Sequence, residues 1–192
     1  MKRQCRLSNV TKDYLATFHC IFENMIQAMK GAEFTNSISY NFIVQMIPHH
    51  QAAIDMSRNI LQYTTCVSLQ DIAMGIVEEQ TKSIEDMRKI VTCCGKYKNT
   101  QKELSLYQGK ADQVMQMMIS DMEHSCVTNQ INADFLWEMI PHHQGAIAMA
   151  ENTICFTICP ELKPILCAII RSQKKGVMQM QQLLRCVGCR MF

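Results

Sequence analysis

Glycine and proline are scarce in this chain, with 7 and 4 among 192 residues. Such sparse breakers leave little room for a turn-dense fold. Together with long apolar periodicities and many Met, Gln, Leu, Ile and Ala residues, they predict an all-helical protein. No apolar run approaches the ~18 residues needed to span a membrane, so no membrane partner is expected. The net charge of +2 comes from dispersed Lys and Arg, with only short pairs such as Lys174-Lys175. The absence of a basic run or of aromatic-basic alternation excludes nucleic acid as a partner. No serine-histidine-acid arrangement, phosphate-binding loop or nucleotide motif is present. The start, Met1-Lys2-Arg3-Gln4-Cys5-Arg6, is basic, but no apolar stretch of signal-peptide length follows before Asp13. The expected location is therefore cytoplasmic, where the eleven cysteines should be mostly reduced thiols.

Sulfur and imidazole are abundant instead. There are 16 methionines, and four of the six histidines lie in one segment that occurs twice. It reads Gln45-Met46-Ile47-Pro48-His49-His50-Gln51-Ala52-Ala53-Ile54-Asp55-Met56 and again Glu138-Met139-Ile140-Pro141-His142-His143-Gln144-Gly145-Ala146-Ile147-Ala148-Met149. At ~100° per residue, Met46, His49, His50, Ala53 and Met56 share one helical face, while Gln51 and Asp55 point away. Such a face is either a metal site or an unusual core, because nitrogen and sulfur donors stand where hydrocarbon would serve packing.

A shift of 93 positions superimposes the halves without a gap from about Phe22 to Gly95. Met25 falls on Met118, Phe42 on Phe135, Cys66 on Cys159, Gln80 on Gln173 and Cys93 on Cys186. This duplication predicts one pseudo-twofold domain over 1–192, with repeats at about 12–95 and 104–188 and a polar linker, Lys96 to Lys102, between them. Each repeat should hold three helices. The first pair spans about 12–29 and 104–123, and the second about 38–61 and 131–154, capped from Thr35-Asn36-Ser37 and Thr128-Asn129. Pro48 and Pro141 should sit inside the second helices and kink them.

The third helices are expected after Cys66-Val67-Ser68, where Ser68 and Asp71 resemble a capping box, and after Cys159-Pro160, with proline at the first position. They should end at Gly95 and Gly188, each suited to a left-handed terminal residue. Gln80 and Gln173 interrupt their apolar stripes. They should be buried and hydrogen-bonded, an imidazole of the facing helix being one available partner. Second and third helices form hairpins, and two hairpins make a four-helix bundle with the first helices added outside or at an end. His19 and His124 do not align under the repeat and read as ordinary histidines. Cys186-Val187-Gly188-Cys189 has metal-hook spacing but lacks a second pair of that form.

The repeated Met-Ile-Pro-His-His-Gln-x-Ala-Ile-x-Met, with Asp134-Phe135 before it in the second half, resembles the CopM-type copper-binding family, domain of unknown function 305. The likeness covers nearly the whole chain. It implies a ferritin-like fold and copper binding, and it carries over to Met46, His49, His50, Met56 and Met87 in the first half. In the second half it carries over to Met115, Met118, Met139, His142, His143, Met149 and Met180. This sequence departs from the family pattern at Asn41, where aspartate is usual, and at Ser83 and Gly176, where glutamate is usual.

A di-iron oxidase would need inward carboxylates, and the histidine stripes as read contain none. Zinc would leave the methionines unexplained, whereas imidazole plus thioether suits copper, Cu(I) especially. The resulting expectation is a non-enzymatic copper buffer or metallochaperone with a metal-transfer protein as a possible partner. A metal-dependent oxidoreductase of ferritin-like fold and a purely structural helical bundle are the alternatives.

Overall fold

The computed structural model describes residues 7–125 and 127–188, with side chains to Cys186. It is all-α, with six helices: α1 (Asn9–Lys30), α2 (Ile38–Leu61), α3 (Val67–Cys94), α4 (Gln101–Glu123), α5 (Ile131–Ile154) and α6 (Leu162–Gly188). The bounds of α2 and α5 are those read from the periodicity, and Pro48 and Pro141 lie inside them. Helix α2 pairs with α3 and α5 with α6. The α2–α5 and α3–α6 contacts join the hairpins into a bundle, while α1 lies on α2 and α4 on α5.

Local chemistry explains where helices start. Ser37 caps α2 by accepting from the Tyr40 amide at 3.2 Å. The N-cap of α5 is Gln130, which makes no side-chain cap; Thr128 instead accepts from the Gln130 amide at 2.9 Å. Both turns are closed from inside the following helix. Asn41 accepts from the Thr35 amide at 2.8 Å, and Asp134 accepts from the Thr128 amide at 3.0 Å and its hydroxyl at 2.7 Å. Asn41 therefore replaces aspartate without loss, since either side chain can accept the loop amide.

Four local expectations are corrected. Ser68 and Asp71 form no capping box; α3 begins at Val67 with Cys66 as an N-cap that makes no side-chain bond. The capping box lies in the supposed linker, where Thr100 and Glu103 satisfy each other's backbone amides, so α4 starts at Gln101. Pro160 precedes α6, which starts two residues later at Leu162. Gly95 ends α3 in a right-handed conformation, φ −63°, and no described glycine has positive φ. Lys98 meets an exposed carbonyl of that end by donating to Gly95 O at 3.0 Å.

The main core cluster takes residues from all six helices, and a smaller one gathers Ile38, Tyr107 and Ala111. Phe18, Phe22, Met25 and Met29 enter it from α1, and Met118 and Met122 from α4. Tyr14 O accepts from Asn59 Nδ2 at 3.1 Å and Tyr107 O from Asn152 Nδ2 at 3.2 Å, two bonds related by the 93-residue shift. Among the described residues no helix is long and apolar enough to cross a membrane, and the described cysteines are free thiols.

Candidate metal centre

The four paired histidines lie at the middle of the bundle, with relative exposures between 0 and 2%. The i, i+1 pairs splay, their ring centroids 6.1 Å apart in both halves. Across the α2–α5 contact, His49 and His142 face each other with centroids 3.8 Å apart and planes inclined by 36°. Two charged rings could not occupy that position. Burial pushes both well below the usual imidazole range; His50 adds to the shift at His49, and His49 to that at His142. Burial likewise carries His50 down to about 3 and His143 to about 4. All four are neutral imidazoles at physiological pH, with lone pairs available for coordination.

Those lone pairs and N–H groups are poorly matched. Nδ1 of His49, His50, His142 and His143, and Nε2 of His142, have no well-aligned hydrogen-bond partner; the backbone of His49 lies near His142 and that of Met139 near His143, which opposes part of the lowering of those two rings. Each such buried group costs about 1–3 kcal/mol. The one sulfur contact is at His49, whose Nε2 lies 3.2 Å from Met118 Sδ. Met118 reaches it from α4 because α5 has no side chain in the way: a Cβ on Gly145 would lie 2.4 Å from that sulfur. Gly176 likewise makes room for His143, since a Cβ there would stand 2.9 Å from the ring.

The other methionines selected by resemblance are core residues. Met46, Met56, Met87, Met139, Met149 and Met180 are at most 4% exposed, and Met115 is half-buried against the same cluster. Only Met118 is brought against an imidazole nitrogen by a recorded contact among the described residues. His19 and His124 are exposed on α1 and just after α4. Cys189 lies outside the described residues, and with it the proposed Cys186-x-x-Cys189 hook.

Two surface clefts lead inward. One of about 430 Å³ between α3 and α6 is lined by Gln80, Gln173, Gly176 and His143. The other, about 510 Å³, is lined by Met117, Met118, Asp121, Pro141 and Gly145. Gln80 and Gln173 are buried as expected, at 2 and 3% exposure, but their amide oxygens lack the expected hydrogen-bond partners. Both line the first cleft.

The stripes also hold a carboxylate that the sequence reading missed. Glu138, one turn before His142, is buried and accepts from Tyr14 Oη at 2.9 Å. Its i, i+4 relation to His142 was the available signal. Burial raises it to about 8, partly opposed by the Tyr14 bond, so it is largely protonated at neutral pH and a poor ligand for a hard metal. Asp134 is occupied by the Thr128 loop. No three His, Asp or Glu donors around the histidines converge within 4.8 Å among the described residues.

The sequence pattern called Domain of unknown function (DUF305) matches residues 39–184. The chain belongs to this family. A solved structure described as CopM in the Ag-bound form, by soaking, is similar over 80% of this chain and 97% of its own, at 28% identity and a TM-score of 0.58. CopM in the Cu(II)-bound form is similar over 77% of this chain and 95% of that one, at 29% identity and a TM-score of 0.58. A DUF305 fragment from Deinococcus radiodurans, at 21% identity and a TM-score of 0.55 over 77% and 95%, shares the fold. No curated protein sequence matches the chain.

Proposed function

We propose that this DUF305 protein binds copper, as Cu(I), at the histidine cluster between α2 and α5, and that it buffers the ion or passes it to a partner rather than catalysing a reaction. The observation that carries the reading is the contact of His49 Nε2 with Met118 Sδ beside the unpaired Nε2 of His142. Two donors at about 2.0 and 2.3 Å from one ion stand roughly 3.5–3.7 Å apart at tetrahedral to trigonal angles, so the pair, now 3.2 Å apart, has to spread by a few tenths of an ångström to admit it. Neutral imidazole and thioether are borderline and soft donors, which suits Cu(I). Five imidazole nitrogens without protein partners cost stability, whereas a bound ion would use some of them. The silver- and copper-bound forms of CopM support the same metal class.

His49, His142 and Met118 form the proposed primary set. His50 and His143, with Met46, Met56, Met87, Met115, Met139, Met149 and Met180, form the surrounding donor-rich shell that accepts the ion as it moves. The clefts at His143 and Met118 provide routes in. A ferritin-like, pseudo-twofold bundle and a cytoplasmic location belong to this reading.

The test is competition for Cu(I) with a chelator under anaerobic conditions, using protein with every cysteine changed to serine. Replacing His49, His50, His142 and His143 by alanine should abolish tight binding while circular dichroism reports a retained helical fold. Unchanged affinity and stoichiometry would place copper elsewhere. Oxygen or peroxide turnover by the loaded protein would favour an oxidoreductase instead.

A further inference from the structure

Two adjacent cysteines and a third 65 residues later meet at one end of the bundle. The sulfur atoms of Cys93, Cys94 and Cys159 all lie within 4.8 Å of one another. Cys93 and Cys94 end α3, and Cys159 precedes α6, so the cluster joins the two repeats. We propose that these three thiols form a second metal site, separate in its residues from the histidine cluster, that binds Cu(I) as a three-coordinate thiolate complex.

The backbone around the cluster is fixed before any ion arrives. Ser37 Oγ donates to Cys94 O at 2.7 Å, and Ser39 Oγ accepts from the Cys159 amide at 2.8 Å. One turn at the start of α2 therefore holds both strands of the cluster. Asn99 adds a tie, accepting from the Ile38 amide at 3.0 Å and donating to Thr157 O at 2.8 Å. The clamp is particular to this end. The repeat places Gln130 and Asn132 where the serines would be and Val187 in place of Cys94.

Sulfurs bound to one ion at about 2.3 Å stand roughly 3.8–4.0 Å apart, so closure from 4.8 Å needs only rotamer adjustment. Cys94 and Cys159 are buried, whereas Cys93 is exposed, which gives the ion a point of entry. Glu161 Oε2 accepts from Cys159 Sγ at 2.9 Å, but no fourth donor among the described residues lies within 4.8 Å of all three sulfurs. Three soft donors suit Cu(I), whereas structural zinc almost always takes four ligands. Binding would exchange thiol protons for the ion, releasing up to three H⁺ as three Cu–S bonds form, with no change of oxidation state. Desolvation that raises the Cys94 and Cys159 thiols keeps them protonated until the ion arrives.

The test uses full-length, reduced protein in which all cysteines except these three are serine, titrated anaerobically with Cu(I). One equivalent should generate near-ultraviolet thiolate-to-copper absorption and release protons. The absorption should survive alanine replacement of the four paired histidines, which separates this site from the proposed function. C93S changes an exposed residue and should leave the melting temperature unchanged. It should nevertheless weaken chelator-resistant Cu(I) binding by more than the about 10–100-fold typical of losing a supporting group. C159S, in protein shown by circular dichroism to be folded, should do the same. A folded three-cysteine protein without the thiolate absorption would overturn the proposal, as would C93S and C159S binding Cu(I) with unchanged affinity. Tetrahedral Co(II) absorption that requires Cys93 would overturn its three-coordinate form.

Discussion

The two halves carry the same Pro-His-His segment on helices of the same length, yet they surround it differently. In the second half Gly145 lets Met118 pass over α5 to His49. Its counterpart in the first half is Ala52, and Met25, the counterpart of Met118, is buried without a recorded contact to His142. Gly176 yields to the ring of His143, whereas its counterpart Ser83 holds a buried hydroxyl with no partner. Glu138 bonds Tyr14; its counterpart Gln45 has an unpaired amide oxygen. His143 lines a cleft, while His50 lines none of those described. The duplicated histidines thus supply donors twice, but one missing methyl group decides which thioether reaches them.

The largest expected effect tests what the halves share. All four imidazoles are depressed in the folded state, so below pH ~6.5 the unfolded chain takes up protons that the native core refuses. Their contribution to stability should be full above that pH and fall as pH drops towards the folded values, about 3 for His50 and about 4 for His143. Each histidine contributes a slope of up to about 1.4 kcal/mol per pH unit. Urea unfolding of the metal-free protein at stepped pH measures this; a flat profile between pH 6.5 and 5 would show that the rings are not held neutral.

Next in size is the glycine that separates the halves. G145A adds a methyl group 2.4 Å from Met118 Sδ and 3.1 Å from its Cβ, so the whole side chain must shift. A loss of about 1–3 kcal/mol is expected despite better helix propensity. The converse change, A52G, should cost only about 1 kcal/mol, as glycine does inside a helix. Equal losses in thermal or urea unfolding would remove the proposed difference between the halves.

The last effect concerns Glu138. Held near 8 when folded, it favours the native state below its unfolded value of 4.5, and this contribution fades as pH rises through 8. E138Q installs the residue that the first half has at Gln45. It should flatten the decline of stability between about pH 6.5 and 8, above the range in which the histidines titrate, while changing stability at pH 5 by under about 1 kcal/mol. A decline of unchanged steepness in E138Q would assign it to another group.

Much of the fold was legible because α2 and α5 present long, regular stripes, and the 93-residue shift allowed each to be read against the other. Boundaries were lost where a short signal competed with a stronger pattern, as at Thr100, inside the polar stretch taken for linker, and Glu103 just beyond it. The histidines were legible as a face. Their facing across α2–α5 was not, since no local spacing reports which helices touch. The choice of Met118 among many methionines depends on Gly145, a residue on a different helix from either partner. Cys159 meets the adjacent Cys93 and Cys94 only through the topology, whereas metal-hook spacing drew attention to Cys186 and Cys189.

The most direct test of the account is X-ray absorption at the copper edge on Cu(I)-loaded, cysteine-free protein, comparing M118L with M25L. Leucine for methionine nearly conserves volume and should cost each variant less than about 1.5 kcal/mol. The account predicts a mixed nitrogen and sulfur shell whose sulfur component disappears in M118L and persists in M25L. A sulfur component retained in M118L, or a shell of nitrogen alone before any substitution, would contradict it.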